Sequence, residues 1–112
     1  MNNLIQTRRP VLIIDDAHEI HLMLKQLISD AFADLRIAYA NTGLHGIEMA
    51  NLETPCVIIL DLILPDLHGF EVCARLKQNP NLVLVPVIFL TGTQSEAEIR
   101  IKTLEAGGEA IS

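Results

Sequence analysis

The chain has 112 residues, half of them apolar and only 4% aromatic, with 14 acidic against 8 basic side chains and a net charge of −6. That is one domain, residues 1–112, with an aliphatic core, and its acidity and scattered Lys and Arg exclude direct binding to a nucleic-acid backbone. No stretch reaches the roughly 20 apolar residues of a membrane span, Met1 to Pro10 lack the apolar core of a secretion signal, and Cys56 and Cys73 sit in apolar runs as small buried hydrophobes of a reducing compartment, so a soluble cytoplasmic protein with no membrane contact is expected.

Val11-Leu12-Ile13-Ile14 is a run of β-formers ending in Asp15-Asp16. It is apolar at every position, as in a parallel sheet covered on both faces. From about Ala17 to Phe32 an amphipathic helix is expected, with Ile20, Leu24, Leu27, Ile28 and Ala31 on its inner face and Glu19 suiting its first turn. Leu35 to Tyr39 reads as a second strand. Thr42 to Leu52 reads as a second helix, weakened by Gly43 and Gly46, before Pro55 breaks the chain. Cys56 to Leu60 is a third buried strand, and it too ends in an acid, Asp61. After the loop Leu62 to His68, Gly69 opens a third helix to about Gln78, with Phe70, Cys73 and Ala74 on one side. Asn79-Pro80-Asn81 is a turn. Val83 to Leu90 is a fourth strand that tolerates Pro86 and ends in Thr91-Gly92-Thr93. Ser95 caps a fourth helix with Glu98 three residues on, lined by Ala97, Ile101 and Leu104 and stopped by Gly107-Gly108. Ala110-Ile111-Ser112 reads as the start of a fifth strand.

This alternation specifies an α/β fold with a parallel sheet. In such sheets ligands sit beyond the carboxyl ends of the strands. Three strands therefore deliver Asp15, Asp16, Asp61 and Thr91 to one edge. Carboxylates gathered in this way repel one another unless a cation sits among them. Oxygen ligands suit Mg²⁺, which also binds phosphoryl oxygens. A carboxylate beside such a metal can be a nucleophile toward phosphorus, and a hydroxyl with backbone N–H groups can receive the phosphoryl oxygens. The residues point to an Mg²⁺-dependent aspartyl phosphate site. For each acid taken alone, a helix cap or a solvated strand end is the plainer reading.

The run Val11 to Ala17 resembles the first strand and acidic pair of bacterial response-regulator receiver domains. Ile58 to Glu71, with Asp61, Pro65 and Gly69, resembles their phosphoacceptor strand and loop. Pro86 to Gly92 is similar to the fourth strand with its switch hydroxyl, and Ala106-Gly107-Gly108 to the end of the fourth helix. The resemblance implies a doubly wound, flavodoxin-like (βα)₅ fold with strand order 2-1-3-4-5. It implies that Asp61 takes a phosphoryl group from a phosphohistidine on a histidine kinase or histidine phosphotransfer domain, and that an output surface then switches. It assigns Mg²⁺ to Asp16 directly, to Asp15 largely through water, to Asp61 and to the carbonyl of Ile63. Thr91 and the backbone N–H groups of Leu62 and Gly92 would meet the phosphoryl oxygens. Ile63 and Thr93 would overlook the approach of a hydrolytic water. Such a domain is not an enzyme on other substrates; it catalyses only its own phosphorylation and slow dephosphorylation. Dimerisation, where it occurs, would use the region of the fourth helix and fifth strand.

The sequence departs from that pattern at its end. The family's phosphate-pairing Lys would fall just beyond Ser112, the aromatic switch residue is matched by Ala110 and Ile111, and the fifth helix is missing. The chain is therefore expected to be a receiver lacking its C-terminal end, with the fifth strand truncated. The alternative is a phosphate-independent pseudo-receiver acting as an interaction module. Other chemistries fail on spacing. His18-Glu19 followed by His21 misses the zinc motif because position 22 is Leu, and both histidines are expected on the surface. Gly43-Leu44-His45-Gly46 lacks the Gly-Lys-Ser/Thr ending of a phosphate loop. His45 has no ligand partners, and His68 is expected to be a solvated or modulating side chain. Asp61-Leu62-Ile63 lacks the second Asp of a haloacid dehalogenase-type phosphatase.

Overall fold

The structure is a computed structural model that describes residues 9–90 and 109–111; Thr91 to Thr93 and the helix expected from Ser95 to Gly108 lie outside the described residues. Among the described residues there are five strands: β1 (Val11–Ile14), β2 (Ile37–Ala40), β3 (Val57–Asp61), β4 (Val87–Leu90) and β5 (Glu109–Ile111). Three α-helices, α1 (His18–Ala31), α2 (Gly43–Glu53) and α3 (Gly69–Leu76), connect the first strands, and a 3₁₀ turn at Pro80–Leu82 leads into β4. The sheet order is β2-β1-β3-β4-β5 and every pairing is parallel. This is the expected flavodoxin-like order, with β5 in place as a three-residue strand on β4.

Alternation along the strands divides the core. Leu12, Ile14, Ile58, Leu60, Val87 and Phe89 lie on one face, joined by Ala50 of α2 and by Val72, Cys73 and Leu76 of α3. The aliphatic core has one aromatic centre: Phe89 is fully buried, and Phe70 meets it edge-on at 5.1 Å. On the opposite face Ile13 is buried, and Tyr39, its register partner on β2, stacks on His21 of α1 at 3.8 Å. Helices thus lie on both sides of the sheet.

Several expectations change in detail. On α1, Ile20, Leu24 and Ile28 are half-buried, but Leu27 and Ala31 are exposed, because the row at i, i+4, i+8, with His21 beside it, faces the sheet. His21 is not a plain surface side chain, since it shares the inner side of α1 and its buried Nδ1 finds no partner. Burial lowers its pKa, with His18 and Lys25 adding to the shift. On α3 the inner face is Val72, Cys73 and Leu76, while Ala74 is exposed and the helix stops at Leu76. β4 begins only at Val87, because the segment before it is held differently: Lys77 Nζ donates to the carbonyls of Leu82, Val83 and Val85 at 3.2, 3.0 and 2.5 Å. Gly46 does more than weaken α2. A Cβ there would come within 2.7 Å of Ile14 Cγ1, so glycine is what lets α2 press against β1. Neither cysteine is in a disulfide; Cys56 is half-buried, and burial pushes the Cys73 thiol up to about 11.

Candidate functional site

Register brings the acids together. Ile14 on β1 pairs with Leu60 on β3, so Asp15 and Asp61 leave adjacent strands at the same level. The Asp15 N–H still bonds the Ala40 carbonyl at 3.0 Å, which fixes the start of the turn that presents Asp16. Asp15, Asp16 and Asp61 each offer a carboxylate oxygen, and these atoms all lie within 4.8 Å of one another. Asp15 is buried, Asp61 half-buried and Asp16 exposed, so the cluster opens to solvent on one side.

None of the three acids serves as a helix cap. The N-cap of α1 is Ala17, with no side-chain capping bond. The Asp15 carboxylate instead accepts from the Ala17 N–H at 2.7 Å. Asp61 Oδ1 accepts from the Ile63 N–H at 3.3 Å. Burial raises the pKa of Asp15, the Ala17 N–H opposes the shift, and Asp61 and Asp16 add to it. Burial likewise raises Asp61, opposed by the Ile63 N–H and helped by Asp16. Among the described residues the ion pairs, Arg36–Glu53 and Arg75–Glu71, lie elsewhere, and no basic side chain neutralises this cluster. Three crowded carboxylates, two of them disfavoured as anions, are a donor set that fits a hard divalent cation such as Mg²⁺.

The loop after β3 folds back on the acceptor strand. The Gly69 N–H donates to the Leu62 carbonyl at 2.7 Å, and Ile63 and His68 form an antiparallel bridge. A Cβ on Gly69 would sit 2.5 Å from the Asp61 carbonyl oxygen, so only glycine permits this closure. His68 is not merely solvated, because its Nδ1 accepts from the Phe70 N–H at 3.1 Å and caps α3. Leu62 is buried, whereas Ile63 is 67% exposed beside Asp61. Thr91 follows Leu90, the register partner of Asp61, but Thr91 and Gly92 lie outside the described residues.

Sequence reasoning missed Asp66. Its carboxylate accepts from the N–H groups of Gly43 at 2.8 Å, Leu44 at 2.9 Å and Leu67 at 3.0 Å. Those bonds to α2 hold its pKa below the ordinary carboxylate value. Two of its partners lie 22 and 23 residues earlier, so no local pattern could reveal them.

Among the described residues no helix is long and apolar enough to cross a membrane. Residues 11–111 match the family model described as the response regulator receiver domain. The chain is 30% identical over 98 residues to the response regulator PleD of Caulobacter vibrioides, covering 87% of this chain and 21% of that protein. It is 30% identical over 101 residues to the alkaline phosphatase synthesis transcriptional regulatory protein PhoP of Bacillus subtilis, covering 90% of this chain and 40% of that one. Among solved structures, the signal receiver domain of a DNA binding response regulator from Colwellia psychrerythraea superposes with a TM-score of 0.82 at 26% identity, over 92% of this chain and 84% of that one. The chain thus spans well under half the length of these two curated relatives.

Proposed function

The chain belongs to the response regulator receiver family, and on that basis we propose that it is a phosphorylation switch whose acceptor is Asp61. The observation that carries this reading is the convergence of Asp15, Asp16 and Asp61 at the carboxyl edge of the parallel sheet, with no basic side chain among the described residues to neutralise them.

In the proposed reaction an Asp61 carboxylate oxygen attacks the phosphorus of a phosphohistidine on a kinase or phosphotransfer domain. The O–P bond forms, the N–P bond breaks, and the departing imidazole takes up a proton. Burial raises the pKa of Asp61 and Asp16 adds to the shift, so its carboxylate is disfavoured until a cation joins the cluster. Asp16 and Asp15, with Asp61 and the Ile63 carbonyl, would hold Mg²⁺, which when bound neutralises the carboxylates and the incoming phosphoryl oxygens. The N–H groups of Leu62 and Gly92 and the Thr91 hydroxyl are assigned to those oxygens. Occupation of the site would reorganise an output surface in the same cytoplasmic protein or a second copy of it.

The test is Mg²⁺-dependent uptake of one acid-stable, base-labile phosphoryl group from acetyl phosphate. EDTA should abolish uptake, and Asp16→Ala should weaken Mg²⁺ binding more than Asp15→Ala. Uptake that is indifferent to EDTA, or equal Mg²⁺ binding by wild type and Asp16→Ala, would contradict the assignment.

A further inference from the structure

The loop of residues 62–68 carries the backbone that flanks Asp61. Pro65 and Asp66 are exposed, while Leu64 is buried and half-buried Leu67 packs against the core, so apolar contacts anchor the loop on either side of the tip. The bridge between Ile63 and His68 closes the two ends but does not reach the tip. The polar tie between the tip and α2 is one side chain. Asp66 Oδ1 accepts from the Leu67 N–H, which turns the loop, and from the Gly43 N–H; Oδ2 accepts from the Leu44 N–H. One carboxylate thus fastens the loop to the first turn of α2, 22 and 23 residues away in sequence.

Helix capping alone does not account for this bond set. The start of α2 has its own cap, the Thr42 hydroxyl, which accepts from the His45 N–H at 3.1 Å. Gly43 also fits the close approach, since a Cβ there would lie 2.8 Å from Val72 Cγ2 and 3.2 Å from Asp66 Oδ1. The anion sits at the positive end of the helix dipole, which strengthens the tie. We propose that Asp66 is a positioning residue for the acidic site, bracing loop 62–68 against α2 so that Asp61 and the Ile63 backbone are preorganised for the cation. This rests on the reading of Asp61 as the acceptor beside a bound divalent metal. Residues that orient a metal's ligands commonly alter its affinity about tenfold or more when removed, without touching the ion.

The experiment compares the wild-type chain with Asp66→Ala, Asp66→Asn and Thr42→Ala. The first reading is the dissociation constant for Mg²⁺ alone, by calorimetric titration. Asp66→Ala should weaken binding by about tenfold or more. Asp66→Asn should fall between, because its carbonyl oxygen can keep the Gly43 and Leu67 bonds while the Leu44 bond is lost. Thr42→Ala also weakens the start of α2 but spares the loop, so it should lower the melting temperature and leave Mg²⁺ affinity within about a factor of two. The second reading is Asp61 labelling by acetyl phosphate, where saturating Mg²⁺ should restore the rate of Asp66→Ala. Unchanged Mg²⁺ affinity in Asp66→Ala overturns the inference, as does an equal loss in Thr42→Ala. If Asp66→Ala does not fold, Asp66→Asn decides: weakened Mg²⁺ binding supports the brace, and wild-type affinity overturns it. A wild type that binds Mg²⁺ in this pattern but takes no phosphoryl group removes the functional reading and leaves the brace standing; a wild type that binds no Mg²⁺ removes both.

Discussion

Replacing Asp15 with asparagine should make the metal-free protein more stable. Asp15 is 2% exposed, and burial drives its carboxyl above the ordinary value of 3.8, with Asp61 and Asp16 adding to the shift. Asparagine keeps an oxygen for the Ala17 N–H, now accepted at 2.7 Å, and removes the charge. The acidic oxygens lie within 4.8 Å of one another, and at an effective dielectric of about 20 a pair at that spacing repels by about 3 kcal/mol. Asp16 is exposed and its share is screened, so a net gain of about 1–2 kcal/mol is expected. For a domain of this size that raises the melting temperature by about 4–8 °C. Melts in EDTA near neutral pH read this directly, and repeating them with Mg²⁺ should narrow or reverse the order.

Asp15 and Asp61 have higher pKa values in the fold than in the unfolded chain, so the folded state binds more protons in the window above 3.8. The contribution of this pair to the stability of the metal-free protein should therefore rise as pH falls from neutrality through the raised values and level off below the unfolded ones, whereas Asp66, whose carboxyl is held low by its N–H partners, contributes stability that is lost as pH falls through its depressed value. Asp15→Asn should flatten that rise. A natively folded Asp15→Asn variant that melts at or below the wild-type temperature in EDTA would refute the claim that this cluster is strained by its own charge.

Ile63 is apolar, exposed and adjacent to Asp61, so it cannot orient a hydrolytic water; Ile63→Asn should speed loss of the phosphoryl group, with tenfold corresponding to about 1.4 kcal/mol of barrier. Decay no faster than the parent's would count against it. Gly46→Ala should destabilise the fold by about 1–3 kcal/mol through overlap with Ile14, read as a lower denaturant midpoint with an unchanged slope. Lys77→Met should cost about 1–3 kcal/mol by leaving the carbonyls of Val83 and Val85 without this donor, Leu82 keeping the Val85 N–H, and a midpoint equal to wild type would show that solvent replaces it.

The strands were legible because parallel strands carry a dense local signal: Val11–Ile14 appears with the limits its composition specifies, and the acids at the ends of β1 and β3 meet as strand register requires. Differences arise where a residue's environment is set from far away. Leu27 fits a helical face by spacing, but nothing in the spacing tells which row of α1 meets the sheet. Gly46 reads as a helix weakener until the approach of Ile14 is seen. Val83 to Pro86 has strand composition, yet Lys77 and the 3₁₀ turn hold it out of β4. His68 is a poor capping type by composition, and Asp66 bonds to a helix start 22 and 23 residues away.

The central claim is that Asp61 is the phosphoryl acceptor, and locating the modified atom tests it most directly. The protein is incubated with acetyl phosphate and Mg²⁺, then treated with borohydride, which reduces an acyl phosphate to the alcohol and converts the acceptor aspartate to homoserine. Peptide mass spectrometry should find homoserine at position 61 and nowhere else, with none formed without Mg²⁺ or in Asp61→Asn. Homoserine at another aspartate, a phosphohistidine in place of an acyl phosphate, or undiminished labelling of Asp61→Asn would contradict the account.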